Sequence, residues 1–320
     1  MLLAIFSTLF LSFLCPLAAN EMFQWGTEEA RVLHLARGEN KPIVLAFIGA
    51  DFCPWSQKMI DEILGSSAFV NKMCPEAILW QCSLHADGNA KEDQMRHKYK
   101  IEECPTLLLL DPQGREFARF GYLPLDALSF AEQLIETIVD FKEICIALQE
   151  PAHKYDANKW QEFYAKTKQF SNIDFKKLVL ERGVQEDTGT DLLLEKYIFL
   201  LDKNKLKDRT VRSCREKLIQ KDPDNRFGTQ FKIAMADFHK LSAKSTKHPQ
   251  KILRPLLRYL QRFEDKDKEN AWKAQMAIAH YLFSLHIKDS ALEFAKKAEQ
   301  NVPDSTKGSI AEFISYIQSH

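Results

Sequence analysis

Residues 42–48, "PIVLAFI", form a short apolar run with no polar alternation, and the run leads directly into "GADFCPWSQKM". Such a run fits a strand covered on both faces, as in a sheet flanked by helices. Pro54 suits the first turn of a helix, and the stretch to Leu64 continues that helix. A buried strand, a sharp turn and a helix that begins beside a cysteine therefore set an α/β domain as the starting frame.

The flanking sequence extends this frame. Thr27 can cap a short helix through about Ala36, with Gly38-Glu39-Asn40 as its stop. "AILWQCSL", 77–84, is a second buried strand, and a polar helix follows over 91–99. "PTLLLLD" is a third strand, "DPQG" a tight turn, "REFARFGY" a fourth strand, and 125–148 is helical. The order is β-α-β-α-β-β-α, a crossover half followed by a hairpin.

From about Pro151 strand patterns give way to amphipathic helices at 157–170, 190–203, 208–220, 228–243, 249–263, 270–285, 289–300 and 306–318. The breaks carry "DPDN", "KHPQ", "EDKDKEN" and "NVPDS", with "EDKDKEN" expected as a solvated loop. Ala279, Ala291, Ala298 and Pro303 resemble one tetratricopeptide-like helical hairpin. An all-helical domain over 151–320, solenoid-like or a bundle, follows an α/β domain over 20–148.

The first 19 residues stand apart. "MLLAIFSTLFLSFLCPLAA" has no charged side chain, its apolar stretch runs from Leu2 to Leu14, and Ala18 and Ala19 follow. It fits a secretory signal peptide cut after Ala19, which places the mature chain in the periplasm or outside the cell. If the segment is retained, it is a short membrane anchor.

The 320 residues include 44 basic and 44 acidic side chains. This balance gives no electrostatic reason to expect nucleic acid as a partner. No Cys/His set has zinc-ligand spacing and no glycine-rich phosphate loop is present, so neither a metal nor another cofactor is expected. Of seven cysteines, Cys82 falls in a strand and Cys214 in a helix, as small buried hydrophobes.

Cys53 is different. It sits where a strand turns into a helix, and unsatisfied N–H groups at a helix start favour thiolate over thiol. Exposure and a lowered pKa make a nucleophile; the other reading is an inert buried cysteine. Trp55 beside it suits an apolar rim for a peptide or a packing role, and Asp51 suits a turn cap. Lys58 and His85 suit ordinary surface positions.

Two stretches, "KPIVLAFIGADFCPWSQKM" and "CPTLLLLDPQGREFARFGY", together resemble the thioredoxin family over roughly residues 23–140, particularly exported members with a C-x-x-C centre. The resemblance implies a cis Pro105 packed against Cys53. It also implies that Cys104-Pro105-Thr106 offers backbone to an extended substrate, with Trp55 at its rim. Cys104 is unusual for the family; it is a resolving thiol, a disulfide partner of Cys53, or a neutral small side chain.

Two departures bear on function. Ser56 occupies the position of the second, resolving cysteine, and Leu45-Ala46-Phe47 lacks the buried acid that commonly serves it. Both remove the same half-reaction. What remains is attack by Cys53 on a disulfide, with release by another thiol. The expectation is a single-thiol exchange protein whose partners are protein or peptide thiols and disulfides, acting as an isomerase or reductase. The alternative is a non-catalytic scaffold that keeps the fold for protein binding, with a partner held by the helical domain.

Overall fold

A computed structural model describes residues 25–319 except 50, 187–188 and 244–247. The expected signal segment, residues 1–19, lies outside these residues. The chain divides into two compact units between Val139 and Asp140.

The first unit opens with α1 (Glu29–Glu39). It continues through β1 (Ile43–Gly49), α2 (Pro54–Met59) and α3 (Ser67–Met73), then β2 (Ile78–Leu84) and α4 (Ala90–Tyr99). The hairpin β3 (Thr106–Leu110) and β4 (Glu116–Phe120) precedes α5 (Ala127–Gln149), which runs across the division. The sheet order is β2-β1-β3-β4. β1 pairs parallel with β2 and antiparallel with β3, which pairs antiparallel with β4.

β1 is central and all seven of its residues are buried, which is why its sequence does not alternate. Ile43, Leu45 and Phe47 pack in one core with Val32 and Ala36 of α1 and Met95 and Tyr99 of α4. Val44, Ala46 and Ile48 point to the other face. This thioredoxin-like sheet and its helices match the expected fold class. Three details differ. Glu28, not Thr27, precedes α1, whereas Asn40, within the expected stop, ends that helix in the left-handed region at φ 50°. The helix after Cys53 widens into a π turn over Ile60–Leu64. A separate α3, capped by the Ser66 hydroxyl accepting from Ala68 N–H at 3.2 Å, was not expected. Gly65 allows the break between them: a Cβ there would meet the Ile60 carbonyl oxygen at 2.9 Å.

The second unit is built of helices. They are α6 (Ala157–Lys166), α7 (Ile173–Glu186), α8 (Asp191–Lys203), α9 (Arg209–Lys221), α10 (Thr229–Ser242), α11 (Pro249–Phe263), α12 (Lys268–Ser284), α13 (Lys288–Asn301) and α14 (Asp304–Ser319). Ala271, Ala274, Ala279, Ala291, Ala295 and Ala298 are fully buried in one core that α12 and α13 share. Small side chains let these two helices lie close, and Pro303 follows the end of α13.

α7 was not expected from the sequence. Its Gly183 serves close packing: a Cβ there would lie 2.9 Å from Leu192 Cδ1 and 3.0 Å from Trp160 Cβ. "EDKDKEN" is also not simply a solvated loop. Lys268, Glu269 and Asn270 begin α12, and Asp267 accepts from Tyr259 Oη at 2.8 Å and from Asn225 Nδ2 at 2.6 Å.

These glycines give a matched test. Gly183→Ala gains about 0.5–1 kcal/mol of helix propensity but overpacks a site where about 1–3 kcal/mol is the usual cost, so the net is destabilising. Gly308→Ala in α14, where a Cβ meets nothing within 4 Å, keeps the propensity gain alone. Thermal unfolding followed by circular dichroism should show Tm falling for the first variant and rising for the second.

Candidate active site

β1 ends at Gly49, and the chain turns through Asp51 and Phe52 so that Cys53 caps the start of α2 with φ −114° and ψ 104°. The turn is tight enough to demand glycine at 49. A Cβ there would lie 2.8 Å from both Cys53 Cβ and Phe52 Cζ. Pro54 begins the helix, where a missing N–H costs nothing. The N–H groups of Ser56 and Gln57 donate to the Cys53 carbonyl at 3.0 and 3.2 Å.

Ser56 is fully buried, 0% exposed. Its Oγ accepts from the Gly49 N–H at 3.0 Å. A hydroxyl carries one proton and can accept as well as donate, so this contact leaves the Ser56 proton available to Cys53. Burial acts to raise the Cys53 thiol pKa. Hydrogen bonds from the Ser56 hydroxyl and from the backbone N–H groups of Ser56 and Trp55 outweigh it, and the net shift is downward. In its neutral form the thiol donates to the Cys104 carbonyl at 3.1 Å.

The Cys104–Pro105 bond is cis. Pro105 and Thr106 are buried beside Cys53, while Cys104 is half-buried. Burial and the charge of Cys53 both push the Cys104 thiol up. Thr106 turns its hydroxyl back to donate to the Glu103 carbonyl at 2.8 Å, and its backbone pairs with Phe47. Cys53, Ser56, Cys104 and Pro105 thus come together, and the Thr106 side chain is committed to its own turn.

Trp55 is 57% exposed and stands at the rim. Its ring lies 5.3 Å from that of Tyr122, and Lys58 Nζ sits 5.5 and 5.4 Å from the two ring centroids. Tyr122 Oη donates to Glu62 at 2.9 Å. Phe52 is exposed on the turn beside Cys53. Tyr122 was read only as the end of a strand; nothing in its local sequence signals the ring contact. Asp51 caps no turn of its own but accepts from the Ala86 N–H at 3.1 Å, tying the Cys53 turn to the loop after β2. In that loop His85 pairs with Glu92 at 3.0 Å.

On the strand side, Leu45, Ala46 and Phe47 are all fully buried, and no carboxylate stands among them. Among the described residues, no group of three or more His, Cys, Asp and Glu is placed to hold a metal, and no helix is long and apolar enough to cross a membrane. A cavity of about 1070 Å³ lies in the helical unit, with Tyr164, Leu194, Ile198, Phe231 and Met235 on its walls.

A thioredoxin-like domain family matches residues 30–134. The thioredoxin-related protein DsbJ of Chlamydia pneumoniae is 24% identical over 309 residues, 93% of this chain and 88% of its own. Disulfide bond reductase DsbH of the same organism is 31% identical over 115 residues, 34% of this chain and 68% of its own. A solved DsbH oxidoreductase structure covers 40% of this chain and 92% of its own at 28% identity, with a TM-score of 0.33. The chain belongs to the thioredoxin-like family.

Proposed function

We propose that this chain is an exported thiol:disulfide exchange protein, in the periplasm or secreted space, in which Cys53 attacks disulfides of proteins or peptides. The observation that carries this reading is the place of Cys53 at the start of α2, beside the Cys104 carbonyl at 3.1 Å and the cis Pro105, with hydrogen bonding from Ser56 and Trp55 lowering its pKa. A lowered pKa with partial exposure marks a reactive rather than an inert cysteine. The name of one relative, a disulfide bond reductase, supports the direction of the chemistry.

The first step follows from the geometry. As the thiolate forms, Cys53 gives up its bond to the Cys104 carbonyl, and that oxygen becomes available to an N–H of an extended substrate. Trp55, Phe52 and Tyr122 offer the apolar rim, while the backbone of Cys104, Pro105 and Thr106 offers the edge. The thiolate attacks one sulfur of the substrate disulfide, the other leaves as thiolate, and a mixed disulfide on Cys53 results. With Ser56 at the usual resolving position, release falls to another thiol.

The non-catalytic scaffold is the second reading. The apolar cavity in the helical unit supports it as a place for a protein partner. A Cys53→Ala variant separates the two. Loss of exchange with a model peptide disulfide and loss of biological activity together support the enzyme, whereas unchanged activity in cells leaves the scaffold.

The pH dependence of Cys53 alkylation tests the electrostatics. A lowered pKa leaves more thiolate at neutral pH, so iodoacetamide should modify Cys53 faster than a free peptide cysteine, with the rate levelling at a lower pH. Ser56→Ala removes the foremost of the lowering contacts, so the midpoint should rise and the rate near pH 7 should fall by about three- to tenfold. A wild-type Cys53 that reacts no faster than the peptide thiol overturns the enzyme reading.

The rim has its own test. Trp55→Ala should raise KM for a peptide mixed disulfide by about fivefold or more, the scale of a lost aromatic anchor. Exchange with oxidised glutathione, too small to span the rim, should change by less than twofold. Equal losses on both substrates would assign Trp55 to support of the turn instead.

A further inference from the structure

We propose that Cys104 is the resolving thiol of this centre: its sulfur attacks Cys53 in the mixed disulfide, expels the substrate thiol and closes a Cys53–Cys104 disulfide. The inference rests on the exchange reading above and names what releases the substrate.

Position comes first. Cys53 Sγ lies 3.1 Å from the Cys104 carbonyl oxygen. Covalent geometry puts that oxygen roughly 2.4 Å from its own Cα, so Cys53 Sγ is within about 5.5 Å of the Cys104 Cα. Cys53 Sγ is roughly 2.8 Å from its own Cα, so the two Cα atoms lie within about 8 Å, and a modest movement of the turn brings them under the roughly 6.8 Å that a disulfide requires. The Cys104 thiol also senses the charge of Cys53. Ser56, by contrast, has no sulfur and is committed to Gly49 and Cys53.

The other cysteines are less suited. Cys82 lies on β2, across β1 from β3 in the register Cys82–Phe47–Thr106; it senses the charge of Cys104, but Cys53 is not among the groups that act on it. Burial, then the charge of Glu92, pushes its thiol up to about 11, which keeps it protonated. Cys74 ends α3, and its thiol is also raised by burial. Cys145 and Cys214 belong to the helical unit.

Electrostatics then gives the order of events. While Cys53 is a thiolate, its negative charge and burial both hold Cys104 protonated, so only Cys53 attacks. Once Cys53 is in a mixed disulfide its charge is gone. Burial and the charge of Glu103 remain, Arg96 acts in the opposite direction, and with the charge of Cys53 gone Cys104 ionises more readily in the state where it must act.

The steps balance. Cys53–S⁻ with R–S–S–R′ gives Cys53–S–S–R and R′–S⁻. Cys104–S⁻ with Cys53–S–S–R gives Cys53–S–S–Cys104 and R–S⁻, and the proton lost by Cys104 ends on the released thiolate. The substrate disulfide gains two electrons and the two cysteines lose them. An external dithiol reduces the Cys53–Cys104 bond and resets the centre.

Oxidised glutathione and the full reduced chain give the test. Samples are acid-quenched over time, released glutathione is counted, and disulfide-linked peptides are mapped by mass spectrometry. The expected course is one glutathione released as the Cys53 adduct forms, then a second as a Cys53–Cys104 peptide appears. In Cys104→Ser and Cys104→Ala the adduct should persist at least tenfold longer, while Cys82→Ser should behave as wild type. An adduct in wild type that is as long-lived as in the Cys104 variants, or one that resolves onto another cysteine, overturns this inference and leaves the exchange reading standing. No adduct on Cys53 at all overturns both. The wild-type time course decides even if a variant fails to fold.

Discussion

The hydrogen bond from the Gly49 N–H to Ser56 Oγ, 3.0 Å long and buried, holds the candidate site together. It satisfies a backbone donor at the end of β1 that would otherwise be stranded away from water, where an unmade bond costs about 1–3 kcal/mol. It fixes the start of α2 against the strand. It also orients the serine so that its only proton faces Cys53. A cysteine at 56 would be a weak acceptor for the same N–H and a weak donor to the sulfur. The serine therefore lowers the Cys53 pKa, and it places no second thiol at the position where the family commonly has one. Both effects follow from one substitution of oxygen for sulfur, which explains how a centre can lose its second cysteine without losing the turn that carries the first.

The α/β unit was legible because its strands are short, apolar and bounded by turn residues. β1 and β2 fall within one residue of the runs "PIVLAFI" and "AILWQCSL", and the Asp111–Gly114 turn closes with the Gly114 N–H donating to the Asp111 carbonyl at 2.8 Å. Cys53 was legible from its place between a strand and a helix-starting proline. What the sequence did not carry was contact across elements. Tyr122 follows β4 and meets Trp55 only through the fold. Asp51 looks like a turn cap, and its actual partner, the Ala86 N–H, is 35 residues away in the chain.

The helical unit shows the same division. Spacing of apolar residues located most helices to within two or three residues. α7 escaped because Gly183 lowers its helical character, and the benefit of that glycine is felt only against Trp160 and Leu192. "DPDN" was legible as a break, but not the role of its first residue. Asp222 is 2% exposed and accepts from the N–H groups of Arg226, Phe227 and Thr229 at 2.7, 3.2 and 3.1 Å. A carboxylate that takes three backbone donors is a structural anchor, and turn statistics describe its residue type without revealing its burial.

The missing strand acid and the half-buried Cys104 belong to one argument. A buried carboxylate beside a thiolate carries a desolvation cost and a like-charge penalty, and it is useful only where a second buried thiol must give up a proton. Here the position after the turn holds a hydroxyl, and Leu45, Ala46 and Phe47 fill the space behind it. On the proposed reading, the half-buried thiol at 104 lies next to the substrate edge, and the charge of Arg96 favours its thiolate. On that reading, a second sulfur in the loop before Pro105 rather than on the helix removes the need for the acid, and the strand can be apolar throughout.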